Sequence, residues 1–313
     1  HHRGRLYLTD AYHLHTTGRM TAAIYRVDDD GIARIVAQAG SIRDSRRRVM
    51  PAFQRPEMIA RMPGGYDIEH STSLLFVWSD LNGDQTPDPE EVQFVNPKRY
   101  QEESSGAAGT GKASVNPGLV YAFSQVADVA LKLAPTSIDA NGVPRYDLDQ
   151  AEVIAEGAQS PASSGHGQVL LADDGWAVTT TPVKPFAREG VGAVRNGEPI
   201  WSYPSPWPGL HASHIAPMPE HPGQVIGTTR VIGNVIDAPP GSDAGQLWAI
   251  NGNKGTIYVF TVDGLFVARL FQDSRTTRWN APEAIAGMKV NHLSLQEECF
   301  GPTWTRTDAG EVF

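Results

Sequence analysis

Oxygen-bearing residues recur at every second position in the segment from Asp80 to Glu91. Positions 1, 3, 5, 7, 9 and 12 of this segment are Asp80, Asn82, Asp84, Thr86, Asp88 and Glu91. Calcium needs six to eight hard oxygens at about 2.3–2.6 Å, and a backbone that wraps around the ion supplies them at this spacing. Thr86 would contribute its backbone carbonyl, and Glu91 both carboxylate oxygens. The spacing predicts a calcium site, and the alternative is an acidic surface turn.

The same twelve residues resemble an EF-hand or dockerin-type calcium loop in their ligand positions. Two backbone positions depart from that pattern: Gln85 occupies position 6, where the loop has Gly, and Pro87 occupies position 8. The preceding run Leu74 to Trp78 is predicted to be a strand and not an entering helix. The resemblance implies a structural calcium ion in an inserted loop, residues 80–91, that fixes a connection between strands.

Histidines recur roughly once in each repeat of the chain. The ones considered as ligands are His70, His166, His211, His214 and His292. Neutral imidazoles bind Zn, Mn, Fe or Cu, and three or four of them would hold one divalent ion. The pair His211 and His214 would face the same way on a helical turn. These residues predict a second, transition-metal site, and the alternative is a set of hydrogen-bonded loop histidines.

A metal-assisted reaction would also need a base and an electrostatic stabiliser. His166, His214 and Arg230 are the catalytic candidates, with lyase or hydrolase chemistry as the reaction class. The proline-rich segment from Trp201 to His214 is predicted to be a stiff loop. Its Trp201, Tyr203 and Trp207 offer flat apolar faces on which sugar rings or peptides stack, or they bury themselves as a plug.

The elements that would position these residues are strands. Short alternating runs with β-branched and aromatic residues are bounded by Gly, Asp or Asn, as in Leu74 to Trp78, Gln246 to Ile250 and Thr256 to Phe260. Five Asx-Gly pairs predict type I′ hairpin turns, in which both central residues have positive φ. These pairs are Asp30-Gly31, Asn141-Gly142, Asp174-Gly175, Asn196-Gly197 and Asp263-Gly264. Helices are predicted only at Glu90 to Phe94 and Pro282 to Met288. The fold class predicted is all-β.

The strand pattern restarts near Gly4, Gly65, Gly118, Gly167, Gly245 and Gly301. Such spacing is typical of propeller blades with insertions. The stretches Ala23 to Gly40 and Thr256 to Asp273 resemble hairpins of NHL and related six-bladed propellers. The resemblance implies a single β-propeller domain over residues 1–313, with about six blades (five to seven) and an axial pocket lined by histidines from several blades.

Composition limits the partners and the compartment. The net charge of −9 disfavours binding to nucleic acid, and no apolar run is long enough for a membrane span. One cysteine, Cys299, permits no intrachain disulfide. Calcium sites suit the extracellular space, so the predicted location is secreted or periplasmic. His1 and His2 are interpreted as a tag remnant, and the chain as a possible part of a longer one.

Two functions follow from these patterns. The first is an extracytoplasmic metal-dependent enzyme that acts on extracellular carbohydrate, with calcium as a structural cofactor and Zn, Mn, Fe or Cu as a second metal. The alternative is a non-catalytic calcium-binding propeller module that binds a protein or a glycan.

Overall fold

The structure is a computed structural model that describes residues 1–9, 21–44, 47–64, 66–67, 73–100, 113–158, 167–180, 183–186, 190–277, 283, 285, 287–295, 304, 306–307 and 309–312. The strands are β1 Tyr7–Thr9, β2 Thr21–Val27, β3 Ala33–Ser41, β4 Leu75–Ser79, β5 Val92–Val95, β6 Ala113–Asn116, β7 Val120–Val126, β8 Val129–Leu133, β9 Ser137–Ile138, β10 Pro144–Arg145, β11 Glu152–Glu156, β12 Val169–Leu171, β13 Trp176–Thr179, β14 Gly190–Arg195, β15 Glu198–Pro204, β16 Thr228–Asp237, β17 Gln246–Gly252, β18 Thr256–Thr261 and β19 Phe266–Leu270. The α-helices in these ranges are α1 Pro56–Ile59 and α2 Gly209–Ser213.

The strands form four larger antiparallel sheets, each from consecutive parts of the chain. Their orders are β1-β2-β3-β4-β5, β11-β8-β7-β6, β12-β13-β14-β15 and β16-β17-β18-β19, and β9 pairs with β10 in a short ribbon. The all-β prediction is confirmed, and meandering sheets of four or five strands are the type from which propeller blades are built. No described helix has the length and apolar character that crossing a membrane would require.

The chain divides into two compact units, His1–Ala158 and Gln159–Phe313. The single domain of about six blades therefore stays a prediction. Two of the expected repeat starts, Gly118 and Gly245, lie inside sheets, between β6 and β7 and between β16 and β17. Gly65 and Gly301 lie outside the described residues. Gly is common in tight turns of every kind. Its position in the sequence therefore does not distinguish a turn within a sheet from a connection between two sheets.

The first unit is organised around β4. Its Leu75 and Val77 face a core shared with β6, β7 and β8, while Phe76 and Trp78 face a second cluster with Phe53 of a short 3₁₀ turn. All five side chains of β4 are buried because successive residues of a strand point to opposite faces and both faces are covered.

The second unit contains an aromatic ladder around Trp248 of β17. Trp248 stacks on Phe260 of β18 with ring centroids 5.1 Å apart and on Trp201 of β15 at 6.2 Å. Its indole N–H donates a 3.1 Å hydrogen bond to the carbonyl of Thr261. Through this aromatic ladder, β15 at the edge of the third sheet packs against the fourth sheet.

The Asx-Gly turns divide into two kinds. At Asn196-Gly197 both central φ angles are positive, 51° and 86°, as the type I′ prediction requires, and Asp174-Gly175 behaves alike. At Asp30-Gly31, Asn141-Gly142 and Asp263-Gly264 only the glycine has positive φ. There the glycine N–H bonds back to the carbonyl three residues earlier, so the Asx occupies the third position of the turn and the glycine the fourth. The type I′ prediction is wrong for these three.

The predicted helix at Glu90 to Phe94 is also wrong. Residues Pro89–Glu91 form one 3₁₀ turn, and Val92–Val95 form β5. Pairing with β4 outweighs the weak helical preference of so short a segment, because β5 buries Val92 and Val95 against the sheet. In the second predicted helix, Pro282 to Met288, residues 282, 284 and 286 lie outside the described residues, and the other four are not helical.

Replacement of Trp248 by Ala should destabilise the second unit by about 3–5 kcal/mol, because the indole is fully buried and its removal leaves a cavity. Urea unfolding monitored by circular dichroism measures this. Trp207→Ala is the matched control: that side chain is 39% exposed, and its loss should change the unfolding free energy by less than about 0.5 kcal/mol. Equal effects of the two substitutions would contradict the ladder.

Candidate calcium site

The loop from Asp80 to Glu91 connects β4 to β5 and starts directly at the buried end of β4. The Asp80 N–H donates a 3.0 Å hydrogen bond to the carbonyl of Val36 in β3, which extends the pairing of β3 with β4 by one residue. Asp80 is consequently only 3% exposed. No entering helix precedes the loop, as the sequence predicts.

Three carboxylates converge in this loop. One oxygen each of Asp80, Asp84 and Glu91 lies within 4.8 Å of the other two. Within the described part of the chain, no other group of three or more His, Cys, Asp or Glu side chains comes together in this way. Hard oxygen ligands at such spacing are the set that calcium prefers.

The backbone of the loop wraps inward around Asp80. Its Oδ1 accepts hydrogen bonds from the N–H groups of Gly83 at 3.1 Å and Gln85 at 3.2 Å. Gly83 has φ of 82° and Gln85 φ of 60°, so position 6 adopts the left-handed conformation although it carries a side chain. The departure from Gly at this position costs about 1–2 kcal/mol of local strain but does not alter the path of the chain.

Glu91, at position 12, folds back onto the start of the loop. Its Oε1 accepts hydrogen bonds from the N–H groups of Leu81 at 2.7 Å and Asn82 at 2.9 Å. Its Oε2 accepts one at 3.0 Å from the indole N–H of Trp78. Sequence reasoning missed Trp78, whose position two residues before Asp80 on the same strand was the available signal.

The remaining ligand positions are joined by short bonds across the loop. The Asn82 amide donates to Asp88 Oδ2 at 3.0 Å, and the Asn82 Oδ1 accepts from the Asp84 N–H at 2.9 Å. The Thr86 N–H donates to Asp84 Oδ1 at 2.8 Å. The side chain of Arg55, next to α1, donates to the carbonyl of Pro87 and so connects the loop to the segment before α1.

Burial raises the pKa of the Asp80 carboxyl, and the negative charges of Glu91 and Asp84 add to the rise. The hydrogen bonds from Gln85 and Gly83 act in the opposite direction. The raised pKa means that the folded loop disfavours the charged form of Asp80 as long as no cation compensates it.

A polar cleft of about 560 Å³ lies beside the loop in the first unit. Asp80, Asn82 and Gln85 line one side of it, together with Arg26 and Arg34 of the β2–β3 hairpin. Asp28 holds both guanidinium groups, at 3.0 Å from the Arg26 Nη2 and 2.8 Å from the Arg34 Nη1. The sequence analysis did not identify this cleft, because its walls come from segments far apart in the chain.

The histidine site predicted from the sequence is only partly described. His211 is exposed on α2 and His214 caps the end of the same turn, so both lie on one short helical segment. His292 is exposed in a turn, whereas His70 and His166 lie outside the described residues. Arg230 lies in β16 at 4% exposure, and burial lowers its pKa. Their proposed metal-binding and catalytic roles stay predictions.

The segment Trp201 to His214 is not one loop. Trp201 and Tyr203 belong to β15, an edge strand that tolerates Pro199 and Pro204 at its ends. The Trp201 indole donates to the carbonyl of Val262 at 2.9 Å, and the Tyr203 hydroxyl to that of Gly264 at 2.6 Å. Trp201 is half-buried, while Tyr203 and Trp207 are exposed by 38% and 39%. Substrate binding by these residues stays a prediction.

Comparison with known proteins assigns no family. No family model matches the sequence, and no curated protein matches it. Among solved structures, the crystal structure of BamB from Moraxella catarrhalis is similar over 80% of this chain, with 10% identity and a TM-score of 0.32. The chain spans 61% of the length of that structure. Similarity at this level carries no conclusion about function.

Calcium should change the tryptophan fluorescence of the protein, because an ion bound to Glu91 withdraws Oε2 from the indole of Trp78. Emission spectra recorded during a calcium titration measure this. Trp78→Phe should abolish the change, and Trp176→Phe, where Arg195 covers the ring in the second unit, should retain it. A calcium signal that survives in Trp78→Phe would contradict the assignment.

Proposed function

We propose that this chain is a calcium-binding β-protein whose loop from Asp80 to Glu91 holds one ion, and that it acts as a non-catalytic binding module. The observation that carries the proposal is the convergence of the Asp80, Asp84 and Glu91 carboxylates within 4.8 Å. The loop conformation, with left-handed Gly83 and Gln85, supports it.

The other ligands would be the Asn82 side-chain oxygen, the Thr86 carbonyl and Asp88, in the order the sequence predicts. Calcium would supply positive charge and fixed geometry to the connection between β4 and β5. The protein's own part is to hold the carboxylates in place. The hydrogen bond from the Asp80 N–H to the Val36 carbonyl fixes Asp80, and the N–H groups of Leu81 and Asn82 hold Oε1 of Glu91.

Electrostatics provides the driving force. Three carboxylates in one loop repel one another, and the buried Asp80 has lost most of its contact with water. A cation removes both penalties at once, so binding stabilises the folded state more than the unfolded chain, in which the carboxylates are apart.

A glycan is the ligand class that the cleft beside the loop suits best. Arg26, Arg34, Asp28 and Asn141 all line the cleft, and these residue types carry guanidinium, carboxylate and amide groups. Such planar donors and acceptors match the hydroxyl groups of a sugar. Since extracellular calcium is abundant, the proposed location is secreted or periplasmic.

Calcium should raise the melting temperature of the protein. At a calcium concentration 100-fold above Kd the stabilisation is about 2.7 kcal/mol, which corresponds to several degrees for a unit of this size. Asp80→Asn should abolish this response, yet melt no lower than the wild type without calcium, because it keeps the acceptor oxygen and removes one repelling charge. Differential scanning calorimetry with calcium and with chelator measures both.

Asp243→Asn is the control for the change in charge, since Asp243 is an exposed loop residue of the second unit. It should respond to calcium like the wild type. A calcium response that persists in Asp80→Asn would refute the site.

Metal analysis separates the binding module from the metal-dependent lyase or hydrolase. After dialysis against trace calcium, mass spectrometry should find one equivalent of calcium, lost in Asp80→Asn. A stoichiometric transition metal that is lost in His214→Ala would favour the enzyme instead. Calcium alone would leave the histidine site without support.

A further inference from the structure

The loop from Asp80 to Glu91 contains an Asn-Gly peptide bond, between Asn82 and Gly83. Asn82 is exposed, and a Cβ atom placed on Gly83 would meet no atom within 4 Å. Gly83 therefore carries no side chain that would hinder an attack of its backbone nitrogen on the Asn82 side chain.

We propose that Asn82 is a site of spontaneous deamidation and isomerisation, and that occupation of the loop by calcium suppresses the reaction. The inference rests on the proposed function for its calcium dependence, while the reactivity of the bond rests on the calcium-free geometry alone.

Two hydrogen bonds prepare the reaction. The Asp84 N–H donates to the Asn82 Oδ1 at 2.9 Å, which polarises the amide carbonyl and stabilises the charge that develops on this oxygen. The Gly83 N–H donates to the Asp80 Oδ1 at 3.1 Å, so a carboxylate that can accept the proton already faces the nucleophile. Nucleophile and electrophile belong to adjacent residues, which gives the reaction the advantage of an intramolecular step.

The chemistry balances without any reactant but water. The Gly83 nitrogen forms a bond to the Asn82 Cγ, its proton leaves, and the side-chain amide departs as ammonia, which gives a succinimide. Water then opens the ring at one of its two carbonyls. Opening at one carbonyl yields Asp at position 82; opening at the other yields isoaspartate, whose backbone is one methylene longer.

The two products change calcium binding in opposite directions. Asp at position 3 adds a fifth carboxylate to the four of Asp80, Asp84, Asp88 and Glu91 and strengthens binding. Isoaspartate lengthens the backbone between Asp80 and Asp84 and moves the ligands apart, so binding is lost. Bound calcium would prevent both outcomes, because it occupies the Asp80 carboxylate that accepts the proton and holds the Asn82 side chain as a ligand, which blocks the rotation that ring closure requires. These two effects outweigh the polarisation of the Asn82 Oδ1 by the ion.

Other Asn-Gly pairs of the chain serve as internal controls. Asn196-Gly197 is an exposed type I′ turn in the second unit, and it supplies none of the proposed calcium ligands. Asn251-Gly252 lies in β17, and Asn251 is 1% exposed, so neither water nor the required backbone rotation is accessible.

The test is a timed incubation of the whole protein at mildly alkaline pH, with calcium or with chelator, followed by peptide mass mapping. With chelator, Asn82 should convert faster than Asn196, and Asn251 should stay intact. Calcium should slow Asn82 by about an order of magnitude, since it occupies the Asp80 carboxylate that accepts the proton, and leave Asn196 unchanged. Asn82→Gln, which cyclises poorly, should show no conversion at position 82.

If Asn82 converts no faster than Asn196 in chelator, the reactive bond is refuted whether or not calcium binds. If calcium raises the melting temperature but leaves the rate at Asn82 unchanged, the suppression is refuted and the calcium site stands. If calcium changes neither the melting temperature nor the rate, the proposed function fails and the calcium dependence fails with it. Asn82→Asp should bind calcium several-fold more tightly than the wild type in the same melting assay, and weaker binding would contradict the predicted effect of the Asp product.

Discussion

The covering of β4 on both faces is the constraint on which the first unit depends. Leu75 and Val77 are buried on one side of the strand, Phe76 and Trp78 on the other, and β3 and β5 occupy its two edges. A strand held in this way cannot rotate or slide. Asp80 directly follows β4, so the position of its backbone is fixed by the strand. Its carboxylate is therefore buried and not exposed to solvent. The loop that follows is arranged around this one immobile oxygen.

Local patterns predict what is locally determined. The ligand spacing from Asp80 to Glu91 depends on chain geometry within twelve residues, and the structure brings three of its carboxylates together as that spacing implies. The alternating run at β4 predicts a strand for the same reason. The polar cleft, in contrast, requires Arg26, Arg34 and Asn141 to approach from distant segments, and pairings at that distance leave no periodic signal in a single sequence.

In the segment from Trp201 to His214, tertiary contacts outweighed a local preference. Proline argues for a loop at Trp201 to His214, yet Trp201 and Tyr203 form an edge strand because their side chains reach the carbonyls of Val262 and Gly264. At Gln85, a hydrogen bond within the loop also outweighs the local preference. Its side chain disfavours the left-handed backbone, but the bond from its N–H to Asp80 retains that conformation. The loop tolerates Gln85 where the calcium-loop pattern has Gly, because the buried Asp80 carboxylate accepts the hydrogen bond that stabilises the turn.

The position of β5 at the edge of its sheet has a consequence for how long the protein survives. An edge strand has neighbours on one side only and is the first to peel away in local opening, which exposes chain to proteases. Asp80 follows the central strand β4, and Glu91 directly precedes β5. A calcium ion bound to both residues would hold β5 against β4 and would release it when the ion dissociates. In a chain whose single cysteine permits no internal disulfide, ambient calcium would then set the lifetime of the folded state through the rate of its opening.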